Sequence, residues 1–202
     1  TRGLAWAICG FAEQLEWFDE AGEIELDVFP GKENILSLMK KGAKATCDFY
    51  IDNTPTDGVP YWDTGAPNLY KLGDYLHKPA DPYNSFEPVD SSAAAIAAQG
   101  LLRFGRYLQE KGEAIAGNRY WQAGLTILNT IFDEPYLSTD SKHQGLLLHS
   151  VYHRPNGWDY IPGGSKIPHG ESSMWGDYHV REAALYLQRV INNEPYYTFY
   201  NI

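Results

Sequence analysis

Apolar side chains recur at helical spacing in five stretches, and the stretches alternate strictly between two compositions. The first (about 1–18), third (about 91–111) and fifth (about 174–192) are rich in small residues, as in "GLAWAICGFA", "SSAAAIAAQGLL" and "REAAL". The second (about 32–51) and fourth (about 118–133) carry bulkier stripes, such as Ile35, Leu38 and Met39 or Trp121, Leu125 and Leu128, opposite faces of Lys, Asn and Gln. Small residues let neighbours approach on both sides, which suits an inner position, whereas an amphipathic helix suits an outer layer. An up-and-down bundle has no reason to alternate composition in this way. The pattern therefore predicts an all-α fold of helical hairpins in two concentric layers, an α/α toroid. Trp6, Ala95 and Ala184 are expected to face the ring's axis, with Ile35 and Leu128 between the layers.

The connections alternate as well. Links 19–31 and 112–117 are short, whereas 52–90 and 134–173, which lead back to inner helices, are long. Residues 54–90 hold six of the twelve prolines and six aromatic residues, a density that favours an ordered, packed loop. The second long link contains the one β-like run, "GLLLHSVYH" at 145–153. Both long loops then wall one rim of the ring, around a central pocket. The last helix opens on Trp175, Gly176, Asp177, Tyr178 and His179, although an early glycine costs roughly 1 kcal/mol against alanine. A start of that kind is expected to face the pocket.

A net charge of −10 with no Lys/Arg block argues against nucleic acid and anionic membrane as partners. No run of 18 apolar residues is present to span a bilayer. The aromatic share of 14 % fits a sugar-binding surface or a large helical core. Cys9 and Cys47, on neighbouring helices, form either one bridge or two buried thiols. Helical periodicity is already running at residue 4 without a capping residue, so the chain is expected to be a piece of a longer protein.

Arg2 and Trp6 sit four apart on one helical face. They read either as a carboxylate clamp beside a sugar-stacking ring, or as a surface ion pair and a core tryptophan. His149 and His153 share a face if 145–153 is extended. No HExxH or CxxC accompanies them, so they read as pocket hydrogen-bonders or satisfied loop histidines, and no metal is expected. Asp90, before Ser91 and Ser92, has the form of an N-cap. Asp177, in a first helical turn, is stabilised as the anion by the helix dipole, which suits it poorly to general-acid work. Asp63 and Asp159 lie on the long loops beside Trp62 and Trp158. No two carboxyls stand out as a glycosidase pair, so the catalytic residues are unknown. Lys166, in the turn "GGSK", offers a cation to an anionic group.

Five segments occur together in order: "RGLAWAICGFA" (2–12), "VPYWD" (59–63), "DSSAAAIAAQGLL" (90–102), "GLLLHSVYHRP" (145–155) and "SSMWGDYHVREAAL" (172–185). In this the chain resembles the unsaturated glucuronyl hydrolases, family 88 of the glycoside hydrolases. The resemblance implies an (α/α)6 barrel of which this chain is about the C-terminal half, with the N-terminal half of the same enzyme as its partner. It implies hydration of the C4=C5 double bond in the unsaturated uronic acid that lyases leave on oligosaccharides. It implies no metal or organic cofactor, and two aspartates in the N-terminal half, outside this sequence. It also implies substrate-binding roles for Arg2 and Trp6, for Tyr152 and His153, and for Trp175, Asp177 and Tyr178 as pocket wall and scaffold. Related alternatives are an unsaturated rhamnogalacturonyl hydrolase and a non-catalytic sugar-binding toroid. The compartment, cytoplasmic or periplasmic, stays open.

Overall fold

A computed structural model describes residues 1–20, 31–198 and 200. The described residues include five α-helices: α1 (Arg2–Glu20), α2 (Lys32–Asp52), α3 (Ser91–Glu110), α4 (Ala114–Ile131) and α5 (Met174–Ile191). Three single 3-10 turns punctuate the loops at Leu69–Leu72, Tyr75–His77 and Arg154–Asn156. Among the described residues β-structure is limited to isolated bridges, including Tyr61 with Val89 and Leu137 with Leu147. No described helix is long and apolar enough to cross a membrane.

The two compositions separate into two layers. Helix α3 lies between α1 and α5, forming an inner wall, while α2 packs behind α1 and α4 behind α3. Nearly all of α3 is buried, from Ser91 to Gly105 without a break. Outer helices α2 and α4 are clasped by ion pairs at their exposed edges: Glu113 with Lys40 and Lys44, and Arg119 with Asp48 and Asp52. Leu128 is buried between layers and Ile35 is half-buried. Trp6 is open on the inner face, and Ala95 is fully buried one turn before Gln99, which also lines that face. Ala184 departs from expectation. The inner stripe of α5 runs through Trp175, Tyr178, Glu182 and Leu185, one residue away.

Small residues in α3 serve contact between backbones. A Cβ on Gly100 would meet Cys9 N at 2.6 Å and Cys9 Cα at 2.7 Å, so α1 crosses α3 there with no side chain between. The early glycine of α5 has a related explanation. A Cβ on Gly176 would lie 3.1 Å from Ser150 Oγ and 3.1 Å from Ser92 Cβ. The glycine lets the start of α5 press against α3 and the second long loop. Cys9 and Cys47 are both buried and unpaired, which leaves two free thiols.

Two boundaries differ from the sequence reading. Helix α4 begins at Ala114, before the expected residue 118, because Gly112 in the left-handed region closes the preceding turn at once. Residues 145–153 are not a strand: His149 takes φ 67°, which breaks the two-residue alternation, so His149 and His153 do not share a face. The Gly100→Ala variant is expected to lose about 1–3 kcal/mol in denaturant unfolding, because the added methyl must separate two backbones. An unchanged midpoint would show that α1 and α3 are not in direct contact.

Candidate functional site

The inner faces of α1, α3 and α5 bound an open groove of about 1190 Å³. Trp6, Trp175 and Tyr178 line its upper wall. Trp6 is 44 % exposed and meets His179 edge-on at 4.8 Å, so its ring presents free surface to the groove. Tyr178, also exposed, packs edge-on against this histidine at 4.9 Å. His179 is fixed in turn by Gln99, whose Oε1 lies 2.5 Å from the ring Nδ1. Burial holds the imidazole below its ordinary pKa, with Glu182 opposing, so the neutral ring donates from Nδ1 to the Gln99 carbonyl. The Gln99 amide then donates to Glu13 at 3.3 Å and Glu182 at 3.1 Å.

Deeper in the groove, Arg103 is almost fully buried. It donates to Glu16 at 2.8 Å and to the Tyr197 carbonyl at 2.9 Å, lies 3.6 Å from Glu182, and packs on the Tyr186 ring at 4.8 Å. Burial raises the Glu13 carboxyl above its ordinary range, while Arg103 pulls it back. This polar file of Glu13, Gln99, Arg103 and Glu182 was missed by sequence reasoning. Its signal was available: Gln99 and Arg103 are polar, four apart, in a stretch (93–103) otherwise made of Ala, Gly, Leu and Ile.

Arg2 lies at the mouth. It donates to the carbonyls of Val151 and Tyr152, the second at 2.7 Å, pairs with Asp90 at 3.5 Å, and covers the Trp175 ring at 4.8 Å. Trp175 donates its indole N–H to Ser92 Oγ at 3.1 Å and stacks on Tyr152 at 5.3 Å. Tyr152 and His153 are held by Asp159, which accepts from their backbone N–H groups at 2.5 and 3.1 Å. Both flank Trp158. Of the expected residues, Trp6, Trp175 and Tyr178 thus share the groove, Arg2 and Tyr152 join it through Trp175, and His153 lies one ring further out.

Asp177 belongs to the scaffold. Both of its oxygens accept from the backbone N–H groups of Leu146 and Leu147, at 2.8 to 3.0 Å, which pins the second long loop onto α5. Asp177 is not among the residues that line the groove, and its carboxylate serves there as the anchor of the loop. Asp90 is equally committed. It accepts from Ser92 and Ala93 N–H as an N-cap, from Ser92 Oγ at 2.5 Å, and from Val151 N–H at 3.3 Å. Burial raises its carboxyl above the ordinary range, with Arg2 acting against that. Lys166 is exposed in its turn. Among the described residues no group of three or more His, Cys, Asp or Glu side chains is placed to hold a metal ion.

No family model matches the chain. An enzyme of Bacillus sp. (strain GL1), an unsaturated glucuronyl hydrolase, is 29 % identical over 196 residues, which cover 97 % of this chain and 41 % of that protein. A second unsaturated glucuronyl hydrolase, from Formosa agariphila, is 29 % identical over 193 residues, covering 95 % of this chain and 37 % of its own length. The crystal structure of the Bacillus sp. GL1 enzyme, described as responsible for the degradation of glycosaminoglycan, superposes with a TM-score of 0.64 at 27 % identity, over 94 % of this chain and 39 % of that one. These relatives are named unsaturated glucuronyl hydrolases. The two-layered helical wall is part of the toroid on which those hydrolases are built. The chain spans about two fifths of the length of the hydrolases it matches.

The second long loop offers a pH test. His149 is buried against Tyr83, Tyr136 and His169, and its Nδ1 accepts from Gly170 N–H at 3.2 Å. Burial first, and then His169, lowers its pKa to about 4 from the ordinary 6.5. The unfolded chain therefore binds the proton first as pH falls, and stability from this group is complete above 6.5 and lost toward 4. The whole loss is about 3 kcal/mol. His149→Asn, which tolerates the left-handed backbone, is expected to flatten unfolding free energy against pH across that window. Parallel curves for the two proteins would mean that His149 titrates normally.

Proposed function

We propose that this chain is the substrate-binding C-terminal half of an unsaturated glucuronyl hydrolase acting on lyase-derived oligosaccharides of glycosaminoglycan type. The observation that carries the reading is the Trp6 ring, open on the groove, with Arg2 one turn away on the same helix. The hydrolases named above supply the chemical class. A pyranose ring presents C–H bonds to the Trp6 face, and the guanidinium at the mouth biases the groove toward an anionic sugar.

In the reaction, a carboxylic acid delivers its proton to C4 of the double bond, and the oxygen of a water bonds to C5. The water's proton passes to the carboxylate, restoring the acid. The hemiketal so formed opens and releases the rest of the sugar chain. The acid must be protonated near neutral pH and must reach the substrate. Asp90 has no exposed face, and Asp177 is bonded to the second long loop and does not line the groove, so neither fits the part. In the hydrolases that this chain resembles the proton donor belongs to the N-terminal half, and on that reading this chain's task is to bind and orient.

Arg2 also serves Asp90 and two loop carbonyls, so removing it disturbs folding as well as binding. Trp6 is the cleaner probe. In the complete enzyme, Trp6→Ala is expected to raise KM about ten- to hundredfold with little change in kcat, as for the loss of an aromatic stacking face that serves ground and transition state alike. The decay of the conjugated double bond's absorbance measures both constants, and a thermal melt on the same sample controls for folding. A lowered Tm with KM unchanged would make Trp6 a packing residue. Binding of the unsaturated sugar without any decay in the wild type would make the toroid a sugar-binding module.

The 202-residue chain by itself is expected to leave that absorbance unchanged. Turnover by it would bring the acid back among its own carboxylates.

A further inference from the structure

Four groups form a column that leaves the groove. The Arg2 guanidinium covers Trp175 at 4.8 Å, Trp175 stacks on Tyr152 at 5.3 Å and 24°, and Tyr152 meets Trp158 at 5.7 Å and 32°. Within such a column the inner members have their faces occupied by one another. Trp175 lies between Arg2 and Tyr152, and Tyr152 between Trp175 and Trp158. Tyr152 is 50 % exposed with two tryptophans packed on it, and Trp158 ends the column. Trp158 remains 60 % exposed, with Tyr152 and His153 as its ring neighbours.

An exposed tryptophan is commonly a mobile one, but the loop around Trp158 is built to hold it. His153 caps the 3-10 turn Arg154–Asn156, accepting from Asn156 N–H at 3.2 Å. Gly157, at φ 64°, reverses the chain, and the next residue, Trp158, donates its backbone N–H to the His153 carbonyl at 3.4 Å. Asp159 then returns to the N–H groups of Tyr152 and His153. The indole is thus displayed to solvent on a closed turn. Packing does not require this, because Trp158 is not part of the hydrophobic core. A rigid, solvent-facing aromatic plane is a low-entropy platform for a sugar ring.

We infer that Trp158 forms an outer subsite, stacking the third and later sugars of an oligosaccharide whose unsaturated end occupies the groove at Trp6. The inference rests on the function proposed above and deepens it, by making this chain select for substrate length. Trp6 serves the end sugar inside the groove, and Trp158, reached along the column, serves sugars that have left it. Tyr152 contributes as the prop behind Trp158 and not as a stacking face.

The test compares the complete wild-type enzyme with Trp158→Ala and Trp158→Phe. The ligands are an unsaturated uronyl disaccharide and the tetrasaccharide of the same repeat, with affinity measured by calorimetry and turnover by the double bond's absorbance. Trp158→Ala is expected to leave the disaccharide unaffected and to weaken the tetrasaccharide about tenfold, with most of the loss restored by Phe. Equal weakening of both sugars would overturn the inference, since Trp158 would then be shaping the groove from behind. Equal affinity of Ala variant and wild type for the tetrasaccharide would overturn it too. A wild type that binds both sugars without consuming them defeats the proposed hydrolysis and leaves the affinity comparison to decide the subsite. A wild type that binds neither defeats both.

Discussion

The Asp90 carboxylate lies where α1, α3 and both long loops converge, nearly sealed from water. Its backbone N–H holds Pro60 of the first loop at 2.8 Å. Its oxygens cap α3, take the Val151 N–H of the second loop and pair with Arg2 of α1. A buried charge left without its partner costs about 3–5 kcal/mol, so each of these segments is held in place by the need to satisfy one group. Arg2 in turn fixes Val151 and Tyr152 and covers Trp175. The mouth of the groove is therefore an outgrowth of a helix cap.

The lower groove is governed by charge in a similar manner. Arg103 stands in the most buried of the described helices and is engaged from three directions, by Glu16 on α1, Glu182 on α5 and the Tyr197 carbonyl beyond α5. Gln99, one turn earlier, joins Glu13 to Glu182 and holds His179. The inner wall is thus stitched across its concave side by polar groups, while its convex side is packed by hydrocarbon. That division explains how neighbouring α1, α3 and α5 can be rich in Ala and Gly and still keep one relative position.

The layering was legible because composition reports crowding: the small-residue stretches are inner helices, and the N-cap at Asp90 is where the Asp-Ser-Ser triplet sits. The groove's polar file was not read, since a period-3.6 pattern scores apolar positions and treats Glu13, Gln99 and Arg103 as interruptions. The run at 145–153 misled for the opposite reason. Its Leu-rich alternation looks extended, but the pairing shrinks to a bridge at Leu147, because Asp177 and Asp90 take the N–H groups of Leu146, Leu147 and Val151 and His149 turns the chain. Arg2, Trp6, Trp175 and Tyr178 were reached from sequence alone, whereas Trp158 was noticed only as a neighbour of Asp159. What distinguishes it is its place at the end of a column of rings, a property of three dimensions.

The Gly100 crossing has a mechanical corollary. Where side chains separate two helices, rotamer changes let them slide by fractions of an ångström. Backbone lying directly on backbone has nothing to compress, so α1 and α3 behave as one solid piece. Trp6 and Gln99 ride on that piece and keep their spacing whether the groove is empty or filled. Any tightening around a ligand must then come from side chains of the opposite bank, so that the tryptophan of α1 acts as a fixed jaw and the exposed Tyr178 ring of α5 as the adjustable one.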